Sequence, residues 1–291
     1  VLDVREEGVF AEAHPLFAAS LPLGRLELEV LDRVPRPTVP IVVYDEGDGS
    51  LARPAAARLR SLGYTDVSLL SGGLPGWPAG GGELFRDVNS PSKAFGELVE
   101  AQRHTPSLAA SEVHDLLNRG TDMVILDARR LEEYQTMSIP SGMSVPGAEL
   151  VYRVRSIAPD PATLVVVNCA GRTRSIIGTQ SLVNAGVPNT VAALRNGTIG
   201  WTLAGLELER GQRRVGPPPS PEEAQRARQA ARAVADRARV GRASADLLAA
   251  WDADSARTLY RFDVRTPEEY AAGHPARFRS APGGQLVQET D

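Results

Sequence analysis

Apolar residues along this chain fall into two kinds of pattern. Short unbroken runs, Val1–Val4, IVVYD at 41–45, VSLL at 67–70, MVILD at 123–127, LVVVN at 164–168 and TVAAL at 190–194, predict buried strands. Between them lie stretches with helical spacing. ARPAAARLRSLGY at 52–64 predicts one helix, and IIGTQSLVNAG at 176–186 another. SLAASEVHDLLNRG at 107–120 places Val113, Leu116 and Leu117 at i, i+3 and i+4 and ends on Gly120. LEEYQ at 131–135 reads as a short helix, and MSVPGAELVYRVRSI at 143–157 as a short strand followed by a helix. GGLPGW at 72–77 reads as a closing turn, and NGTIGWTLAGLEL at 196–208 as a turn and helix. Strands alternating with helices predict βα units on a mostly parallel sheet of about five strands, with helices on both faces.

The pattern repeats. LDVREEGVFAEAHPL at 2–16, LDARRLEEYQTMSIP at 126–140 and FDVRTPEEYAAGHPA at 262–276 share an apolar residue, Asp, a small or apolar residue, Arg, and a polar helix start. Asp3 and Asp127 stand 124 residues apart, and so do Trp77 and Trp201, so one offset carries two landmarks. Residues 1–84 are therefore expected to form one α/β domain, already under way at Val1, and 107–211 a second, complete copy. Residues 239–291 are expected to form the front of a third. Residues 85–106 read as a connector with a short helix around 93–103. RRVGPPPSPEEAQRARQAARAVADRAR at 212–238 reads as a Pro-rich stretch running into a solvated linker helix, its arginines interleaved with Glu222, Glu223 and Asp236.

Composition narrows the class. Of the 291 residues, 42% are apolar and 23% charged, ordinary values for a globular protein large enough for two or three domains. No run approaches the roughly 20 apolar residues of a membrane span. A formal net charge of −4 provides no basic field for nucleic acid. A single cysteine forms no internal disulfide, so the expected compartment is the cytoplasm. The start at Val1 rather than Met reads as a cut sequence.

That cysteine, Cys169, ends the strand run at 164–168 and opens the loop CAGRTRS. Gly171 lets the backbone turn with its N–H groups inward, Arg172 and Arg174 add positive charge, and Ser175 is expected to cap the following helix. A thiol between converging amides and the positive end of a helix dipole favours a thiolate and an anionic substrate.

This loop, together with the Asp-x-Arg strand end upstream and the NGTIGW turn downstream, resembles the rhodanese (sulfurtransferase) family, and the chain is similar to part of a bacterial tandem-rhodanese array. The resemblance implies rhodanese-like α/β domains and a ping-pong reaction. Cys169 would take the sulfane sulfur of thiosulfate or a related donor as a persulfide and pass it to cyanide or a thiol acceptor. The amides of Ala170, Gly171, Arg172, Thr173 and Arg174 would cradle the persulfide, Arg174 would fill the family's arginine position, and Arg172 would meet the donor's sulfonate. No cofactor or metal is implied. A second reading is a sulfur-relay or interaction scaffold that takes its persulfide from a protein partner. A third is phosphatase or arsenate reductase chemistry, which resembles a Cys-x-x-x-x-x-Arg loop. Here the loop is Cys-x-x-x-x-Arg, one residue shorter, which suits a single sulfane sulfur better than three phosphoryl oxygens.

Asp127 and Arg129 form an Asp-x-Arg whose pattern stands in all three segments, including one without a cysteine, so an internal pair that fixes the loop is expected. Glu133, Tyr134 and His114 are expected on helix surfaces, and Trp77 and Trp201 in packing. Asp45 stands 124 residues before Cys169, in the nucleophile's position, followed by the acidic EGDGS. A carboxylate forms no persulfide, so the first copy is expected to be inactive.

Overall fold

The computed structural model describes residues 1–289, so the last two residues of the expected third segment lie outside the described residues. The chain gathers into two compact units. One comprises residues 1–91 with 243–261, and the other residues 92–242 with 262–288.

In the first unit, β1 (Leu2–Asp3), α1 (Glu7–Glu12), β2 (Ala19–Ser20), α2 (Leu26–Arg33), β3 (Ile41–Tyr44), α3 (Ala52–Ser61), β4 (Val67–Leu69) and α4 (Gly73–Ala79) follow one another. The sheet has the order β2-β1-β3-β4, and every pairing is parallel. Leu2, Val43, Leu26, Val30, Ala55 and Leu59 lie in one core layer, whereas Phe10, Ala18, Tyr44 and Leu74 form another. The GGLPGW stretch is more than a turn: Gly72 and Gly73 take φ of +74° and +57°, and α4 starts directly from them.

The second unit begins with residues 92–103 of α5 (Ser90–Arg103) and continues through β5 (Ser107–Leu108), α6 (Ala110–Asn118), β6 (Met123–Asp127), α7 (Leu131–Thr136) and β7 (Met143–Ser144). It then runs through α8 (Leu150–Ile157), β8 (Leu164–Asn168), α9 (Thr173–Asn184), β9 (Val191–Leu194) and α10 (Gly197–Leu203). Five parallel strands have the order β5-β9-β8-β6-β7. The helix expected over 107–120 starts only at Ala110, because Ser107 and Leu108 pair with Ala193 and Leu194 on β9. Local periodicity carries no information about that distant partner.

Side-chain alternation splits the core across the sheet. Leu126, Val165 and Val167 pack on one face with Leu150, Val154 and Leu182, while Ile125 and Val166 pack on the other with Val113 and Trp201. Each fully buried Val or Leu contributes roughly 1.5–3 kcal/mol relative to exposure. This two-sided burial is why β6 and β8 read as unbroken apolar runs.

The proline-rich stretch and the helix after it are less solvated than their composition suggests. Ser144 on β7 donates its amide to the Arg214 carbonyl at 2.8 Å and accepts from Gly216 at 3.1 Å. Ser220 and Glu223 form a capping box at the start of α11 (Pro221–Arg237). Ala224 and Ala227 are buried, and the Ser156 hydroxyl donates to Glu223 at 2.8 Å. An alanine face at i, i+3 lets α11 lie close against α8, which charge counting alone did not reveal.

Beyond α11, residues 243–261 gather with the first unit and carry α12 (Ala245–Ala253). The second unit also holds β10 (Phe262–Asp263), α13 (Pro267–Ala272), β11 (Arg279–Ser280) and α14 (Gly283–Gln288). β10 and β11 pair in parallel with Phe262 opposite Arg279, the same 17-residue register that sets Leu2 opposite Ala19 and Leu126 opposite Met143.

No helix among the described residues is long and apolar enough to cross a membrane.

Candidate active site

β8 delivers Cys169 to the carboxyl end of the parallel sheet, the edge at which α/β proteins assemble their sites. The thiol is 2% exposed. It donates to the Ser175 hydroxyl at 3.5 Å, and that hydroxyl in turn donates to the Arg172 carbonyl at 2.8 Å. Ser175 is therefore not the helix cap expected from its position. α9 begins two residues earlier at Thr173, with Arg172 as its N-cap residue, and Ser175 lies buried in the first turn facing the sulfur.

The loop is held from behind by the 196–199 turn. Thr198 and Ile199 donate their amides to the carbonyls of Cys169 and Ala170 at 2.9 and 3.0 Å, and the Thr198 hydroxyl adds a bond to Ala170 at 3.2 Å. These bonds fix the first two carbonyls of the loop on the side of that turn. The approach is close enough to require glycine: Gly197 has φ +52°, and a Cβ there would stand 2.1 Å from the Cys169 carbonyl oxygen.

Both loop arginines are engaged by carboxylates. Arg174 makes two hydrogen bonds of 2.8 Å to Glu133 on α7. Burial raises the carboxyl of Glu133, but the hydrogen bonds and charge of Arg174 outweigh it and hold the group below its ordinary value. Arg172 reaches Glu97 at 2.8 and 3.0 Å and also pairs with Glu100. These two acids lie on α5, in the stretch read as a connector, and nothing in the sequence reading singled them out. Their i, i+3 spacing places them on one helix face, but the loop that this face meets is set by tertiary packing. Glu133 and Tyr134 also depart from the expected helix surface. Glu133 holds Arg174, and Tyr134 is fully buried with its hydroxyl donating to the Gly142 carbonyl at 2.7 Å. His114 lies edge-on to Trp201, and the indole of Trp201, 1% exposed, donates to the Glu207 carbonyl at 2.9 Å.

The Asp-x-Arg pair is internal. Arg129 forks onto the Asp127 carboxylate at 2.8 and 2.7 Å and donates to the Met137 carbonyl beyond α7. Arg5 treats Asp3 and the Ala13 carbonyl in the same way, and Arg265 treats Asp263 and the Gly273 carbonyl likewise. In each case the acceptor lies eight residues beyond the arginine. This staple, buried in the first two copies and half-exposed at Arg265, ties the strand end to the end of the following helix. Asn168 joins it by donating to Asp127 at 2.7 Å.

At the position equivalent to Cys169 in the first unit, the Asp45 carboxylate accepts amides from Gly47, Gly49, Leu51 and Ala52 at 2.9 to 3.3 Å. Burial raises this carboxyl, but the four backbone donors together bring it below its ordinary value. The loop there is closed on its own side chain.

Over 115 residues the chain is 31% identical to a thiosulfate sulfurtransferase of Pseudomonas aeruginosa, a match covering 39% of this chain and 41% of that protein. A crystal structure of a thiosulfate sulfurtransferase from Pseudomonas aeruginosa is 68% identical, with a TM-score of 0.97 over 100% of this chain and 55% of that one. The chain thus spans about half the length of these relatives. The rhodanese-like domain family matches residues 1–79 and 109–204, more than half of the sequence, and the chain belongs to that family.

Proposed function

We propose that this chain is a sulfurtransferase whose reactive centre is Cys169, with two rhodanese-like copies in tandem and the copy centred on Asp45 inactive. The observation that carries this reading is the single thiol at the end of β8, heading a six-residue loop whose first two carbonyls are held by Thr198 and Ile199. The name and 68% identity of the Pseudomonas aeruginosa relative support it. In the first half-reaction the Cys169 thiolate attacks the outer sulfur of thiosulfate. A new S–S bond forms, the bond to the sulfonate sulfur breaks, and its electron pair leaves with sulfite. In the second half-reaction cyanide or a thiolate attacks the outer sulfur of the persulfide and returns Cys169 as thiolate. The sulfur rides on the protein's own side chain, so the cycle needs no cofactor.

In this reading the amides of Ala170 to Arg174 cradle the persulfide, whose anionic sulfur suits converging N–H donors at the start of α9. Ser175 receives the resting thiol and is freed as the proton leaves. The lone cysteine suits a reducing compartment such as the cytoplasm.

The test is the Cys169→Ala protein assayed for thiocyanate formation from thiosulfate and cyanide. Loss of activity is expected, together with an added sulfur atom on Cys169 in the mass spectrum of wild-type protein incubated with thiosulfate. Retained activity in the variant overturns the assignment.

A further inference from the structure

Three carboxylates surround the two cations of the Cys169 loop. Arg174 is committed to Glu133 through both terminal nitrogens, and its side chain is only 14% exposed. Arg172, at 36% exposed, is the guanidinium better placed to meet an incoming anion, and it is held by Glu97 and Glu100. α5 carries these acids hard against the loop. At Gly96 the helix backbone passes so near Thr173 that a Cβ would stand 3.1 Å from the Thr173 methyl and 3.2 Å from its Cα. A side chain at Gly96 would push α5 away, so glycine, Glu97 and Glu100 together form a device that brings negative charge to the rim.

A dianion entering this rim must displace a carboxylate from Arg172 and then lie beside it. One attraction is exchanged for another, and a repulsion between like charges is added. A persulfide on an uncharged carbon chain carries at most one negative charge and has no sulfonate to seat on Arg172, so the same carboxylates oppose it less. We infer that Glu97 and Glu100 are specificity-determining residues: by holding Arg172 they weaken the binding of thiosulfate and so narrow its advantage over organic persulfide donors. The inference rests on the sulfurtransferase reading above and names its donor class. The reaction balances without another reagent. The Cys169 thiolate attacks the outer sulfur of R–S–SH, the new S–S bond forms, the old one breaks, and R–S⁻ leaves while the proton stays on the transferred sulfur.

The experiment compares wild-type protein with E97Q/E100Q, using thiosulfate and a persulfide with an uncharged alkyl chain as the two donors. For the double variant kcat/KM with thiosulfate is expected to rise about fivefold through KM, the scale of one exposed ion pair. The alkyl persulfide is expected to change by less than about twofold, within the weak effect of removing charges it does not meet. Adding Arg172→Ala to the double variant should cancel the gain. Glu97→Gln alone should give part of it, and sulfate should protect Cys169 from iodoacetamide at lower concentration in both Gln variants. An unchanged thiosulfate KM, an equal change with both donors, or a gain that survives Arg172→Ala overturns the inference and leaves the sulfurtransferase reading standing. Wild-type protein that turns over neither donor overturns both.

Discussion

The Thr198 amide donates to the Cys169 carbonyl at 2.9 Å. At the same register in the first unit, Leu74 donates to the Asp45 carbonyl at 2.8 Å. The turn that follows the last strand therefore shapes both loops in one way, whether the residue at the loop head is a thiol or a carboxylate. The two copies differ here in the side chain placed on a shared backbone.

Gly197→Ala should damage this arrangement more than a surface change would. The added Cβ meets the Cys169 carbonyl at 2.1 Å and the residue sits at φ +52°. A loss of at least about 2 kcal/mol is expected from the left-handed strain and the clash together. Thiocyanate formation should fall more than about tenfold, because displacing a reacting group by an ångström is that costly. Urea unfolding and steady-state rates check the two halves of this prediction.

Arg129→Met should destabilise the second unit strongly. The Asp127 carboxylate, 1% exposed, would keep Asn168 and the backbone amide of residue 129 but lose its forked, charged partner. Removing one member of a buried pair costs about 3–5 kcal/mol. A midpoint of urea unfolding near that of wild type would contradict the staple.

Glu133→Gln should show a pH-dependent penalty. The native carboxyl lies below its ordinary value of 4.5 because Arg174 outweighs the effect of burial. Such a group stabilises the fold above the unfolded value, and the contribution fades as pH falls through the lower native one. At neutral pH the variant should lose about 1 kcal/mol or less, given that the pair is partly exposed. The two proteins should converge in urea titrations at pH well below 4.5. A gap that stays constant into acid would show that the ion pair is not its source.

Asp45→Asn should loosen the first unit's loop and spare the chemistry at Cys169. The amide side chain keeps one acceptor oxygen where the carboxylate has two serving four donors. A cost of about 1–3 kcal/mol follows from amides left unpaired. Hydrogen exchange at Gly47, Gly49, Leu51 and Ala52 should quicken, while the rate of sulfur transfer holds.

Much of this architecture was written in local pattern. The apolar runs that became β3, β6, β8 and β9 are unbroken because helices cover both sheet faces, and burial on two sides is a property each strand carries in its own residues. The recurrence of Asp-x-Arg was equally legible, since the fork and its carbonyl bond join residues at most eight positions apart, although Asn168 adds to it from 41 positions away. The position of Cys169 followed from the same logic, as a strand end opening on a glycine-containing loop. Local sequence could not supply partners brought together across the fold. β5 exists because β9 offers it an edge. α11 is packed because α8 meets its alanines. The basic loop is ringed by Glu97, Glu100 and Glu133, which lie 75, 72 and 41 residues from the arginines they hold. Charge in a sequence is counted by residue, whereas the potential at a thiol is set by distance. The sequence by itself therefore determined the strands, the staple and the place of the lone thiol, and only the tertiary structure decided how much of the nearby positive charge is already matched by carboxylates.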